Sequence, residues 1–330
     1  MIKRIQPPPL HKGDEIRIIA PSHSLSSMDP QAVKRGIDQL QSQGFTVTVG
    51  EHTAESVVND SASIEARIAD LHAAFQDQSV KAIICADGGF NANQLLQYID
   101  WNVIRQHPKI FCGYSDITVL NNAILAKTGL ITYSGPMLCT FGESFGLAET
   151  IQSFKHIVME NTPETIWSSA RWNDDDWNNE TERLQGFDNT GLWVLSEGVC
   201  EATIVGGNLS SFKLLQGTEY FPDVDSYLLC LEDDYEYQIH HFDRDLQSLI
   251  HASWFQRVKG IIIGRFESAS QVTQKQVQLM IHTKPELATI PVIGNVDFGH
   301  TNPKITLPIG GNMKLSAHHN QIEIINNIST

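Results

Sequence analysis

Long apolar runs are missing from this 330-residue chain, and no stretch of it reaches the ~18 consecutive apolar residues of a membrane-spanning helix. Basic residues are also scarce. Against 38 Asp and Glu there are 23 Lys and Arg, a formal net charge of −15. That balance excludes the clustered positive field a nucleic-acid backbone requires, and it excludes docking on an anionic membrane surface. A small anionic substrate is not excluded, because local donors decide its binding. Cysteines are few and dispersed: Cys85, Cys112, Cys139, Cys200 and Cys230 are odd in number, form no C-x-x-C and lie mostly inside apolar runs. They read as buried free thiols. The opening MIKRIQPPPLHKGDEIRIIAPS has no apolar stretch of signal-peptide length, so a cytoplasmic location is expected.

What is present suggests two domains, since a single core stops growing near ~250–300 residues. In the first half, strand-like and helix-like segments alternate. Glu15–Ala20, Phe45–Val49, Val80–Cys85 and Lys109–Cys112 read as strands. Asp29–Gln43, Ser61–Gln78, Ala92–Ile99 and Ile117–Lys127 read as helices, the second with Ile64, Ile68, Leu71 and Phe75 on one face. This alternation predicts an α/β domain with a parallel sheet over residues 1–161. Residues 191–330 are richer in strand-like runs, and their phrases Gly206-Gly207-Asn208 and Gly310-Gly311-Asn312 look like positive-φ turns. Between them, 162–190 is dense in Asn, Asp, Glu and Trp. Its tryptophans Trp167, Trp172 and Trp177 suit an ordered, functional surface loop.

The run Lys109–Thr118 carries the sharpest chemical signal. A strand enters Gly113-Tyr114-Ser115 and a helix follows at once. A serine on such a turn presents its hydroxyl beside the free N–H groups of the first helical turn, which can hold an oxyanion. The second glycine of G-x-S-x-G is absent, and the same residues also fit a plain helix start with Ser115 as its cap. Gly88-Gly89 follows the strand Val80–Cys85. There the backbone can approach a ligand and offer a second donor, although no G-x-G-x-x-G dinucleotide loop is present. His300, next to Gly299 at the end of an apolar strand, is the candidate base. His240-His241 lack the i, i+4 spacing of a helical zinc site. The run Glu232-Asp233-Asp234, where a buried-looking strand surfaces, supplies candidate carboxylates. Residue chemistry alone does not choose among the three.

Taken together, Gly113-Tyr-Ser-Asp-Ile-Thr118, Tyr133-Ser-Gly-Pro136, Gly206-Gly-Asn-Leu209, Leu231-Glu-Asp233 and Gly299-His300 resemble the LD-carboxypeptidase family of serine peptidases. The resemblance spans nearly the whole chain, in the order Ser, Glu, His. It implies a flavodoxin-like N-terminal domain joined to a smaller β-rich C-terminal domain, with the site between them. It also implies a triad of Ser115, Glu232 and His300, oxyanion donors on the backbone of Gly89 and Asp116, no metal or organic cofactor, and a homodimer. Within the family one branch trims D-alanine from murein tetrapeptides, and a microcin-immunity branch cuts aminoacyl-nucleotides. Gly88-Gly-Phe-Asn-Ala-Asn93, the Trp-rich loop and Gly217-Thr-Glu-Tyr220 are similar to the second. The expected partner is therefore a small peptide or an aminoacyl-nucleotide such as processed microcin C. The alternatives are a murein tetrapeptide, or peptide or nucleotide binding without cleavage. Gly88, Asn91, Trp172 and Trp177 are the candidate substrate contacts. A loop tryptophan stacking on a base contributes ~1–3 kcal/mol, with Trp177 favoured over Trp172. Members of that branch often carry a basic residue soon after the glutamate. Here Asp233-Asp234-Tyr235-Glu236 is acidic, which points to a different acyl or nucleotide portion.

Overall fold

The apolar alternation of Glu15–Ile19 buries Ile16 and Ile18 and starts the first sheet. In a computed structural model, which describes residues 2–160, 162–174, 186–318 and 321–327, this strand is β1. It is followed by β2 (Thr46–Val49), β3 (Val80–Cys85), β4 (Ile110–Cys112) and β5 (Thr132–Ser134). These five run parallel in the order β2-β1-β3-β4-β5, which is the flavodoxin-like order. Its switch point lies between β1 and β3, so the loops after those strands, Pro21–Ser24 and Asp87–Asn91, border a natural crevice. Helix α1 (Pro30–Ser42) starts as the sequence suggests, with Pro30 in its first turn and Asp29 accepting from the N–H groups of Gln31 and Ala32. Helix α2 (Ile64–Gln76) is capped by Ser63.

One expected helix is shorter than its sequence implies. Ala92–Leu95 forms a single 3-10 turn, and α3 begins only at Trp101, capped by Asp100. The Ala92 N–H is drawn 2.8 Å to the Asp116 carboxylate, which bends the chain away from a continuous helix. After α3 (Trp101–Gln106), α4 (Thr118–Thr128) is buried along almost its whole length and ends at Gly129 with φ +79°. A helix buried on all sides lies between two layers rather than on a surface.

The second layer is an eight-stranded sheet. Its first strand in sequence, β6 (Glu164–Thr165), lies at one edge, and a separate two-stranded ribbon pairs β7 (Arg171–Trp172) with β8 (Phe187–Asp188). The other seven strands of the large sheet are β9 (Trp193–Ser196), β10 (Gly198–Asn208), β11 (Tyr227–Glu232), β12 (Val258–Gly264) and β13 (Val292–Val296), then β15 (Asn312–His318) and β16 (Gln321–Asn327). The second half is β-rich, as expected, but its centre is parallel: β10, β11, β12 and β13 run side by side in one direction. Helices Ile239–Ile250 and Gln274–His282 make two of the crossovers such a sheet demands. Strand β14 (Leu307–Ile309) leaves this layer and pairs antiparallel with β5 of the first sheet. Its Leu307 and Ile309, with Leu125 of α4, pack into the second core, so the two halves share apolar contacts.

The seam is also hydrogen-bonded. Asn122 of α4 donates to the Gly206 carbonyl at 2.8 Å and accepts from the Gly206 N–H at 3.1 Å. The Asn208 N–H donates to Thr118 Oγ1 at 2.9 Å. Gly206 and Gly207 do have positive φ (+115° and +127°), but they end a strand instead of making a turn. A Cβ on Gly207 would lie 2.4 Å from Thr118 Oγ1, so a side chain there would push the sheets apart. All five cysteines are free thiols, four buried and Cys200 partly so. Among the described residues no helix is long and apolar enough to cross a membrane. Because Asn122 is buried and truncation would leave both Gly206 groups unpaired, Asn122→Ala is expected to cost about 2 kcal/mol. Urea denaturation measures this, and an unchanged midpoint would mean that the seam does not depend on the asparagine.

Candidate active site

Ser115 follows β4 by three residues and occupies φ +57°, a conformation L-residues rarely adopt. The strain is held by the packing around it. Ile117 fills the space beside Gly113, while Asn121, one turn into α4, donates to the Gly113 carbonyl at 2.8 Å. The result turns Oγ out of the strand line at the start of the helix, the geometry of a nucleophile elbow. Its partner comes from the other half of the chain. His300 lies four residues beyond β13, and its Nε2 is 3.1 Å from Ser115 Oγ. On the far side of the ring Nδ1 is 2.7 Å from Glu232 Oε2, the last residue of β11.

Glycines make room for the carboxylate. A Cβ on Gly299 (φ +97°) would meet Glu232 Oε2 at 2.3 Å, and one on Gly264 would meet Glu232 Cβ at 2.7 Å. Asp233 and Asp234, which the sequence left as alternatives, point elsewhere. Asp233 accepts from Asn208 Nδ2 and the Ser210 N–H, both at 2.9 Å. Asp234 turns back on the Glu236 N–H at 2.9 Å.

The charges around the ring are strongly acidic. Burial opposes charging His300, but the Glu232 carboxylate outweighs it through charge and hydrogen bond. With Glu267 and Asp234 farther out, it raises the imidazole to about 9 from 6.5. Burial likewise pushes Glu267 up to about 7, against the lowering effect of His300 and with Asp174 and Asp234 adding to the rise. Asp233 rises to about 7, from burial and from Glu232 beside it.

On the other flank of Ser115 lie the two loop glycines. A Cβ on Gly88 would be 2.8 Å from Ser115 Cβ, and one on Gly89 (φ +139°) would strike Ser22 and His23. Backbone therefore approaches Ser115 more closely than any side chain could. No described residue accepts from the Gly89 N–H, and the Asp116 N–H lies in a first helical turn, where no intrahelical acceptor exists. Asp116's carboxylate has a separate task. It is 2% exposed and accepts from Ser22 Oγ at 2.6 Å and the Ala92 N–H at 2.8 Å, tying together the loops after β1, β3 and β4.

Of the candidate substrate contacts, Gly88 is at the site. The Asn91 side chain is buried, bonded to Arg67 at 2.9 Å and Ser61 at 2.9 Å. Its amide ties the loop after β3 to Ser61 and to Arg67 of α2. Trp172 is half-buried, its ring 4.7 Å from Phe187 and 5.2 Å from the Arg265 guanidinium, so much of its π surface is already engaged. Trp177 lies outside the described residues. The segment bearing Trp172 is pinned to the site: Asn173 and Asn302 exchange backbone hydrogen bonds of 2.9 and 2.8 Å, and the Ser169 N–H donates to Asp297 at 2.6 Å. Residues to which the sequence gave no site role (Asn122, Asn208, Arg67 and Asn302) reach partners 24 to 159 positions away, from Arg67–Asn91 to Asn302–Glu143. No local pattern marks such pairs.

Comparison with known proteins shows the family. The LD-carboxypeptidase N-terminal domain matches residues 16–135 and the LD-carboxypeptidase C-terminal domain matches residues 201–315. A Bacillus subtilis protein named as a carboxypeptidase, YocD, is 50% identical over 93% of this chain and 95% of its own. The crystal structure of an MccF-like protein from Bacillus anthracis superposes with a TM-score of 0.96 at 43% identity, over 98% of this chain and all of that one. The Escherichia coli microcin C7 self-immunity protein MccF is 29% identical over 96% of this chain and 95% of its own. Its complex with aspartyl sulfamoyl adenosine superposes at TM-score 0.88 and 28% identity, covering 98% of this chain and all of the other. The class is that of a serine carboxypeptidase. The chain belongs to the LD-carboxypeptidase family.

The raised imidazole gives a test with a defined sign. A folded-state value above 6.5 contributes stability that is fully present below that pH and is lost as pH rises through about 9. NMR of the His300 ring should show a midpoint near 9 in the native protein, moving down in Glu232→Gln. A midpoint unmoved by that substitution would show that Glu232 does not set the charge.

Proposed function

We propose that Ser115, His300 and Glu232 act as a catalytic triad that hydrolyses an acyl amide bond in a small peptidyl- or aminoacyl-nucleotide. The observation that carries this reading is the unbroken chain from Ser115 Oγ to His300 Nε2 at 3.1 Å and from Nδ1 to Glu232 at 2.7 Å. Nε2 takes the Ser115 proton as Oγ attacks the carbonyl carbon, and the Gly89 and Asp116 N–H groups receive the oxyanion. The imidazolium then gives that proton to the leaving nitrogen, the C–N bond breaks and an acyl-enzyme remains. Water, deprotonated by the same nitrogen, releases the acid and restores Ser115. Glu232 keeps the ring in the tautomer with Nε2 free and stabilises the imidazolium between the two proton transfers.

Likeness to MccF, solved with aspartyl sulfamoyl adenosine, supports the nucleotide-bearing substrate, and so does the segment carrying Trp172 beside the site. Removal of D-alanine from a murein tetrapeptide is the second reading, supported by the family's LD-carboxypeptidase description. The proposal includes a cytoplasmic homodimer, which sedimentation would reveal as a species of twice 36.8 kDa.

Mass-spectrometric hydrolysis assays with aspartyl sulfamoyl adenosine and with a murein tetrapeptide ending in D-alanine separate the two substrates. Cleavage of the first alone is expected. Cleavage of the second alone would overturn the nucleotide reading but keep the triad. Ser115→Ala should lower kcat by up to ~10⁶, and retained turnover would sink the mechanism. Because the base must be uncharged, kcat/KM should climb with pH toward a plateau above about 9. A profile flat from 6 to 9 would count against His300 as the base.

A further inference from the structure

Two buried charges beside the site take no part in the proton relay. Glu143 and Lys304 are 9% and 3% exposed and come from opposite halves of the chain. Removing a pair from water costs roughly what its attraction returns, so a buried pair is a weak source of stability. Their surroundings suggest another use. Lys304 Nζ donates to Asn302 Oδ1 at 2.7 Å, stands 3.9 Å from Glu143 Oε1 and lies 4.9 Å from the centre of the Tyr114 ring. Asn302 Nδ2 donates to Glu143 Oε2, so both ends of the amide are held by charged groups. The Tyr114 ring in turn meets the His300 imidazole edge-on, with centroids 5.3 Å apart at 71°.

His300 needs such support. It sits in the connection between β13 and β14, outside any strand ladder. Its bond to Glu232 fixes Nδ1 but leaves the ring able to swing about that contact. Around Asn302 the same connection is fastened to the nucleophile's half at several points: Glu143, the Lys304 N–H to Thr150 Oγ1 at 3.0 Å, and the Thr306 N–H to Ser153 Oγ at 3.2 Å.

We propose that Glu143, Asn302 and Lys304 form a positioning cluster that holds His300 against Ser115. They do so by anchoring its loop two residues downstream and by bracing Tyr114 against the imidazole. The Asn302–Asn173 backbone pair fastens the Trp172 segment to the same anchor, so substrate contacts made there share one rigid support with the base. The inference rests on Ser115 and His300 acting as nucleophile and base.

The test is the rate and pH profile of Ser115 labelling by a fluorophosphonate, with thermal melting followed in parallel. Glu143→Ala should slow labelling by about 10²-fold, the scale of an ångström-sized misplacement, and should erase the inflection due to His300. Glu143→Gln, whose amide oxygen still accepts from Asn302, should recover most of the rate and the inflection. Lys304→Met, which keeps the length of the side chain, provides a second variant if Glu143→Ala does not fold. A purely structural role would lower melting temperature but leave the inflection in place. Folded variants that label at the native rate with the inflection intact would overturn the positioning cluster alone. A native protein that takes no label would overturn the hydrolase reading itself.

Discussion

Asn122 and Gly206 bond to each other twice across the seam between the two sheets, and the site is built outward from that contact. Asn122 lies two turns into the segment that begins at Ser115. Gly206 lies two residues before Asn208, which stands opposite Glu232 in the register of β10 and β11. One pair of hydrogen bonds thus sets the depth of Ser115 against the strand that carries Glu232. The contact requires glycine, since a Cβ at Gly206 would lie 2.3 Å from the Cys230 carbonyl oxygen. The shared apolar packing of Leu125, Leu307 and Ile309 makes the seam part of the core. Ser115 and His300, 185 positions apart, can then sit in hydrogen-bond contact with little dependence on loop flexibility.

Charge is arranged around that frame in an unusual balance. Two adjacent carboxylates, Glu232 and Asp233, are both buried, and like charges so placed do not both ionise easily. Their directions resolve the conflict. Glu232 ends β11 and meets His300, while Asp233, just past the strand, is taken up by Asn208 and Ser210. Burial and the neighbouring Glu232 push the Asp233 carboxyl up to about 7. Glu267 and Asp234 add further negative field. An imidazole held near 9 is a strong proton acceptor, but at neutral pH it is largely occupied by its own proton.

The loops around the nucleophile show how buried polar groups can serve geometry. Arg67, 3% exposed, donates to the Pro21 carbonyl at 3.0 Å and to Asn91, while Asp116 gathers Ser22 and Ala92. Between these two charges the Gly88-Gly89 backbone is fixed beside Ser115. Preorganised donors of this kind do not have to reorient as charge develops. Asn91 belongs to this support, which accounts for the burial of its side chain.

Much of this protein follows from short-range pattern. Strand–helix alternation, Pro30 and Asp29 at the start of α1, the elbow around Ser115, and the likeness of Gly113–Thr118 and Gly299-His300 to one family are legible because each depends on neighbours in sequence. The selection of Glu232 over Asp233 and Asp234 came from that likeness, and its physical reason came only with the strand direction and the space left by Gly264 and Gly299. Other features were decided by the tertiary structure alone. These include the parallel centre of the second sheet, the return of β14 to β5, the burial of Asn91, the engagement of Trp172 by Phe187 and Arg265, and the Glu143–Asn302–Lys304 cluster. Each depends on groups brought together from distant parts of the chain, and residue spacing carries no record of which buried donor will find which acceptor once two sheets close on a shared helix.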